Sequence, residues 1–499
     1  MAYLYGASVQ GIQEFIFATN KLKEIVGASD LIERFCSLGF LINFFKKYEI
    51  KFQKENILRN AGGNIRISFD NENEVKKMVK YFPQYIMQKA YGITISQAIV
   101  TFVENSDYIS KKDELEYKLI KARNKSTIPL DSRFSYMKHT PRTGKPAYEK
   151  KKHNDKEEYF DKGNWQKNIN ADEAREDMLL EKLKLTDIYK KFPLDMEKIS
   201  NKNNKVAVIH ADGNKMGLML QNIDKDLKNK SSKEIQKLYK ILSEQITKST
   251  NDAVKTAFEK SFDQSDEKIP FRPVVIGGDD VTVICSADNA LEFTKHYLEA
   301  FESNTEENFK KHKLNKYATK LTACAGVSFC NHKFPFHYAV DLSESLCSYA
   351  KEVSKREESC LAFHNIESSF FTDYKEYVEN ELKTSTDISL QYAPYYTNKQ
   401  PTISNLQSLY RLFDDDDIPS GKFREWLSEL HKNKEYAQLY LERINAVLNK
   451  KVSHDKYLKI NDSLEKLNES LSLQNLIDSN NKTPLYDILQ LRAVLKGDK

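Results

Sequence analysis

The sequence predicts an α+β protein: two βαββαβ units, each an antiparallel sheet with helices on one face, separated by a small polar region and followed by an α-helical domain. Three observations predict it. Apolar runs of strand length alternate with helical stripes in the same order twice along the chain. A Gly-Gly pair stands next to an apolar strand in both copies. Beyond about residue 370 only helical spacing remains.

The first unit is expected over residues 1–105. Tyr3-Leu4-Tyr5-Gly6 reads as a short strand, and Val9 to Phe45 as mostly helical. Asn60-Ala61-Gly62-Gly63-Asn64 leads into the alternating strand Ile65 to Phe69, then a helix from Glu74 to Ala90 and a strand from Ile93 to Phe102. Residues 106–200 are polar, Lys-rich and poorly periodic. Lys138 to His153 holds six Lys or Arg against one Glu, which reads as a solvated insertion or as a contact surface for nucleic acid.

The second unit is expected over residues 201–368. Lys205 to His210 is a strand that ends at Ala211-Asp212-Gly213-Asn214. A helix follows, opening on a capping box at Ser231 and Glu234, with the stripe Ile235, Leu238, Leu242, Ile246. Pro273 to Ile276 and Val281 to Cys285 form a hairpin around Gly277-Gly278-Asp279-Asp280. A helix from Asp288 to Lys311, a strand from Leu321 to Phe329 and a helix from His337 to Lys355 complete a ferredoxin-like order. Laying Gly62-Gly63 on Gly277-Gly278 sets Asn64 and Ile65 against Asp279 and Asp280. Laying Gly11 on Gly217 sets Gly6 against Asp212. The first copy therefore reads as degenerate, with no acidic residue left. Residues 369–499 read as packed helices, with Leu406, Leu409, Trp426, Leu427 and Leu430 inward and Asp414 to Asp417 as an exposed loop.

Composition narrows the class. The chain has 499 residues, 40% hydrophobic and 30% charged, with a net charge of +5. That is ordinary globular composition, and the small charge permits an anionic partner without demanding one. No apolar run reaches the roughly 18 residues of a membrane span, and the start lacks a signal-peptide pattern. The six cysteines form no CxxC pair. They read as reduced core residues of a cytoplasmic protein.

The chemistry sits at the hairpin. Glycines supply the positive φ of a tight turn and let a nucleotide approach the backbone. Adjacent aspartates repel one another and hold protons unless a divalent cation intervenes. Asp212, at a neighbouring strand end, can join Asp279 in holding two ions about 3.5–4 Å apart, the spacing of two-metal phosphoryl transfer. Amides at Gly213 and Asn214 are candidates to cradle phosphates. Lys351 and Lys355, four apart on one helix face, are candidates for the γ-phosphate, or a solvated helix end.

These residues resemble a known family, the large palm-polymerase subunit of type III CRISPR effector complexes. The carriers are Tyr5 to Ile16, Gly27-Ala28-Ser29, Ala211 to Gly217, the Gly-Gly-Asp-Asp hairpin, Ala325-Gly326-Val327, His332 to Pro335, and Ala350-Lys351. Bacterial diguanylate cyclases share the palm and hairpin but not the first opening. The resemblance implies a first, degenerate palm and a second, catalytic one, making cyclic oligoadenylate second messengers from ATP in antiviral defence. It implies two Mg²⁺ or Mn²⁺ ions on Asp212, Asp279 and Asp280. It also implies nucleotide contacts at Ser8, Gly277, Gly278 and Lys351, and a further ATP on the first palm. Guide RNA, target RNA and other type III subunits are the implied partners; no membrane is, and oligomeric state stays open.

Four departures qualify it. The family often begins with an HD nuclease domain, but here the palm stands first and His454-Asp455 lies in the helical tail, so no DNase is expected. Asn214 replaces a frequent second Asp. Lys138 to Ala147 looks like the family's zinc-binding segment without its cysteines, so no zinc is expected. The chain is also short. A stand-alone cyclic-nucleotide synthase, or a non-catalytic RNA-binding scaffold, are the alternatives.

Overall fold

The structure, a computed structural model, describes residues 2–102, 108–125, 136–153, 156–173, 177–227, 230–367 and 373–495. The expected boundaries at 105/106 and 368/369 fall outside the described residues.

The fold is α+β with two antiparallel-type sheets side by side. The first half runs β1 (Ala2–Gln10), α1 (Ile12–Phe17), α2 (Leu22–Phe35), α3 (Leu38–Lys47), β2 (Ile57–Ala61), β3 (Asn64–Phe69), α4 (Glu72–Lys89), β4 (Thr94–Phe102) and α5 (Tyr108–Arg123). Its sheet has the order β2-β3-β1-β4. An aromatic cluster of Phe44, Tyr48, Phe82 and Tyr85 welds α3 to α4. β1 is longer than expected: it continues past Gly6, because α5 crosses there and leaves no room for a side chain. A Cβ on Gly6 would meet Leu115 at 2.9 Å.

The connecting region is ordered around three pieces. β5 (Glu149–His153) and β6 (Lys156–Phe160) form a hairpin, α6 (Lys162–Glu173) packs on α2, and α7 (Met178–Lys182) leads into the second half. The α2–α6 contact is close enough that a Cβ on Gly27 would stand 1.9 Å from the Lys167 carbonyl. Several cations of the basic stretch are already paired within the protein: Arg142 with Glu24 at 2.7 Å, Lys150 with Glu157 at 2.7 Å and Lys151 with Asp172 at 3.0 Å.

The second half runs β7 (Lys205–Gly213), α8 (Met216–Asp226), α9 (Ser232–Ser261), β8 (Phe271–Gly277), β9 (Asp280–Ser286), α10 (Ala290–Lys311), β10 (Ala323–Asn331), α11 (Phe336–Val353) and β11 (Cys360–Asn365). The capping box at Ser231 and Glu234 forms as expected. The sheet has the order β12-β11-β10-β7-β9-β8, with β11 parallel to β10 and β12 being Tyr395–Tyr396. Every residue of β10 from Ala323 to Cys330 is buried, so both faces of this sheet are covered rather than one. α9 and α10 pack together as one layer. α11 presses on β10 so tightly that a Cβ on Gly326 would stand 1.9 Å from the Ser343 carbonyl.

The remaining chain is helical: α12 (Tyr374–Asn380), α13 (Ile403–Phe413), α14 (Ser420–Leu430), α15 (Lys434–Lys451), α16 (His454–Leu467) and α17 (Leu485–Leu495). Leu406, Leu409, Trp426, Leu427 and Leu430 are buried, and Asp415 to Asp417 are exposed between α13 and α14. Among the described residues no helix is long and apolar enough to cross a membrane. The six cysteines are free thiols, five of them buried.

The repeat is real, but its register differs from the sequence expectation. In the first sheet Ser8 pairs with Asn64 and Ala7 with Ile65. In the second, Ala211 pairs with Val281, which sets Asp212 level with Asp280. The outer strands carry a bulge at the same place, between Ile57 and Arg59 and between Pro273 and Val275. The residues that cap the following helices, Gly11 and Lys215, both have φ +57°. Ser8 therefore answers to Asp212, Gly62 to Gly278, Gly63 to Asp279 and Asn64 to Asp280. Gly6 and Ile65 do not stand opposite the aspartates, because strand pairing rather than the glycine doublet sets the register.

Candidate active site

Three elements of the second half bring the acidic residues together. Asp212 stands at the end of β7, and Asp279 and Asp280 at the hairpin between β8 and β9. Gly278 alone of the two hairpin glycines has positive φ, +71°, so only that position needs glycine for its backbone conformation. Its carbonyl accepts a hydrogen bond from Thr250 Oγ1 at 2.6 Å, which ties the turn to α9. Gly277 stands where the two hairpins meet tip to tip: a Cβ there would lie 3.5 Å from Gly62 Cα, in ordinary contact. Gly213 lets Asp279 lie beside Asp212, since a Cβ on it would stand 2.7 Å from Asp279 Oδ2.

α11 supplies the balancing charge. Lys351 Nζ donates to Asp212 Oδ2 at 2.5 Å and to the Gly213 carbonyl at 2.8 Å. Lys355 does not share that face. α11 ends at Val353, and Lys355 lies beyond it, exposed, with φ +55°. The expected phosphate cradle at Asn214 is also absent. Its backbone N–H is spent on the Thr322 carbonyl at 2.8 Å, and its side chain turns into the protein toward Thr322 and Cys324.

One lysine does not offset three carboxylates. Burial, then the charge of Asp212, pushes the Asp279 carboxyl up to about 6. Burial and both neighbouring aspartates push Asp280 up to about 8, although 41% of its side chain still reaches the cleft. Asp280 Oδ1 is buried and has no hydrogen-bond partner. His210 Nδ1 lies 3.5 Å from it, but burial pushes that imidazole down to about 4, so it stays neutral and adds no positive charge. Hard oxygen donors with unsatisfied negative charge suit a divalent cation such as Mg²⁺. Among the described residues no three such side chains already close on one point; Lys351 holds Asp212 instead.

Two features were not read from the sequence. Glu344 lies seven residues before Lys351 on α11, accepts from Gln13 Nε2 of the first half at 2.5 Å, and is pushed up to about 7 by burial and Asp341. Its spacing from Lys351 was the available signal. Arg59, on β2, lines the site from the first half, and no motif marks it.

Two cavities flank the paired hairpins. One, about 400 Å³, is lined by Leu58, Arg59, Met216, Leu220, Tyr239 and Asp279, among others. The second, about 570 Å³, is lined by Ser8, Gly11, Arg59, Asn64, Gly277 and Asp280, among others. In the first half, where the aspartates are replaced, Arg123 donates to Ser8 Oγ at 3.0 Å and Ser8 Oγ to Asn64 Oδ1 at 3.0 Å. That is a neutral acceptor set with an arginine, not a carboxylate centre.

A sheet whose strand end and neighbouring hairpin carry clustered aspartates defines a palm domain, and the first, blank copy makes this a paired-palm protein with one acidic centre. Residues 205–360 match the Cas10/Cmr2 second palm domain family. No curated protein matches the chain in sequence. Among solved structures, the Csm1–Csm4 cassette in complex with pppApApA is similar over 100% of this chain and 69% of that one, at 12% identity and a TM-score of 0.55. Csm1 in T. onnurineus is similar over 100% and 70%, at 12% identity and 0.55. The same cassette in complex with one ATP is similar over 100% and 70%, at 13% identity and 0.53. The second palm thus matches that family's second palm domain, and over its whole length the chain has the fold of Csm1.

Proposed function

We propose that this chain is a nucleotidyltransferase that joins ATP into cyclic oligoadenylate second messengers, together with other type III CRISPR subunits, in antiviral defence. The observation that carries it is the hairpin centre: three carboxylates drawn together, two of them pushed well above the usual carboxylate range, and a buried Asp280 oxygen with no partner. The similar cassettes hold ATP and cA3, which supports an adenine nucleotide as the substrate.

Asp212, Asp279 and Asp280 would hold Mg²⁺ or Mn²⁺, which when bound neutralises phosphate charge and lowers the pKa of a coordinated hydroxyl. The rest of the task falls to the chain. The apolar side chains of Leu58, Met216 and Leu220 offer walls for a base beside Asp279. Gly277 and Gly278 leave the backbone open at the hairpin. Lys351 is within reach to move from Asp212 to a phosphate once the carboxylates are otherwise neutralised. Positioning and charge neutralisation are what phosphoryl transfer chiefly requires.

The test is product formation. The chain with its partner subunits and target RNA, given ATP and Mn²⁺, is expected to yield oligoadenylates seen by mass spectrometry. Asp279→Ala is expected to abolish them with the melting temperature unchanged. No nucleotide product from the wild type would sink the reading and leave an RNA-binding scaffold.

A further inference from the structure

Most cations around the two cavities are committed. Lys351 is held by Asp212, Lys112 by Asp224 at 2.9 Å, Arg66 by Glu116, and Arg123 by Ser8. Arg59 differs. It lines both cavities, and among the described residues no carboxylate or carbonyl accepts from its guanidinium. It projects from β2, next to the hairpin tip that touches Gly277, and the Asp279 carboxylate of the other palm acts on it electrostatically. Its side chain reaches solvent within the cleft yet is flanked by protein, and that desolvation, with Arg66 beside it, disfavours its charge. A cation held without a partner in a cleft between two cavities is matched by an anionic ligand there.

The repeat sharpens this. The bulge and strand pairing make Arg59 the counterpart of Val275 in the second palm. The palm that lacks the aspartates carries an arginine at the position that faces the other palm's aspartates. The palm that has them carries an apolar residue.

Resting on the reading of this site as a nucleotidyltransferase, we propose that Arg59 is a catalytic residue delivered across the palm interface, its guanidinium binding the phosphates of the ATP that reacts at the second palm. The step joins a ribose 3′-oxygen to the α-phosphorus of ATP. The O3′–Pα bond forms, and the bond from Pα to the bridging oxygen of the leaving pyrophosphate breaks, its electron pair departing on that oxygen. The 3′-hydroxyl proton passes to water. Arg59 stabilises the charge that accumulates on the transferring and leaving oxygens, where its planar fork matches two phosphate oxygens at once. An arginine reaching in from a neighbouring element is worth roughly 10³–10⁵ in rate in related transfers.

The test compares Arg59→Ala and Arg59→Lys with Asp279→Ala in the assembled complex. Arg59→Ala is expected to lower kcat at least ~100-fold, Arg59→Lys to recover part of it, and added guanidinium to restore turnover to the alanine variant alone. A kcat within threefold of wild type in Arg59→Ala, or no guanidinium rescue, overturns the proposal while Asp279→Ala still supports the enzyme reading. If Asp279→Ala keeps full activity, it is the reading of the centre that fails. Should the wild type form no product, binding decides. Arg59→Ala is expected to weaken ATP at least tenfold and leave adenosine unchanged, and equal ATP affinity overturns the proposal.

Discussion

Replacing Gly213 by alanine tests whether Asp279 must lie against the β7 backbone to react. The new Cβ would stand 2.7 Å from Asp279 Oδ2 and 2.9 Å from its Cβ, whereas ordinary contact begins at 3.4 Å. The carboxylate must therefore retreat by about 0.7 Å, and its root by about 0.5 Å, because the Thr250 hydrogen bond to Gly278 holds the turn in place. A displacement near 1 Å at a reacting centre costs on the order of 10²-fold in rate. The backbone at 213 does not have positive φ, so alanine is locally acceptable, and the clash falls on a partly buried side chain at the cleft rather than on the core. Stability should change by about 1 kcal/mol or less. The assay is initial pyrophosphate release by the assembled complex with ATP and Mn²⁺, beside a thermal melt of the isolated chain. The expected result is a kcat near 1% of wild type with Tm little changed. A folded variant turning over at the wild-type rate would refute the claim that Asp279 acts from this position.

Two further outcomes concern the fold. Gly326→Ala puts a Cβ 1.9 Å from the Ser343 carbonyl and 2.6 Å from the Cys347 nitrogen. Both are backbone atoms of α11 that cannot turn aside, so the loss should be about 3 kcal/mol or more, read as a lower urea midpoint; an unchanged midpoint contradicts the packing. Asp487 is fully buried, accepts from Tyr395 OH at 2.8 Å, and is pushed up to about 7 by burial. Its folded-state pKa exceeds its unfolded one, so its contribution is present below about pH 4 and lost as pH rises through about 7. Asp487→Asn is therefore expected to gain Tm relative to wild type on going from pH 5 to pH 8, and a constant difference between the two proteins would contradict it.

What the sequence disclosed, and what it hid, follows from the range of each signal. Local patterns were legible: the capping box at Ser231, the hairpin around Gly278, and the strand ending at Asp212 all rest on neighbours within a few residues. The failures lie where distant segments decide. Gly6 looked like a strand end because a glycine in a short apolar run reads as a break, but α5 requires it mid-strand. The run at Cys360–Asn365 carries too little periodicity to announce a buried parallel strand. Lys355 looked helical by spacing, and the chain leaves α11 two residues earlier. Asn214 looked free to meet a phosphate, but the Thr322 carbonyl just before β10 takes its N–H. Arg59 carries no motif because its meaning depends on a hairpin more than two hundred residues away.

The paired arrangement also explains why one palm is blank. At the hairpin tips a Cβ on Gly277 would lie 3.5 Å from Gly62 Cα, and the first half together with the connecting region holds β8. Ser29 Oγ donates to the Val274 carbonyl, Lys182 Nζ donates to the Ile276 carbonyl at 3.2 Å, and Arg272 reaches Asp177 at 3.0 Å. The first hairpin keeps the shape of the second, with the shared bulge and a positive-φ glycine at 62, but not its charge. A second acidic cluster there would add carboxylates beside Asp279 and Asp280, whose carboxyls burial and mutual repulsion already push upward. Glycine at 63, asparagine at 64 and serine at 8 relieve that repulsion, and Arg59 reverses its sign. The blank palm is thus the electrostatic complement of the acidic one.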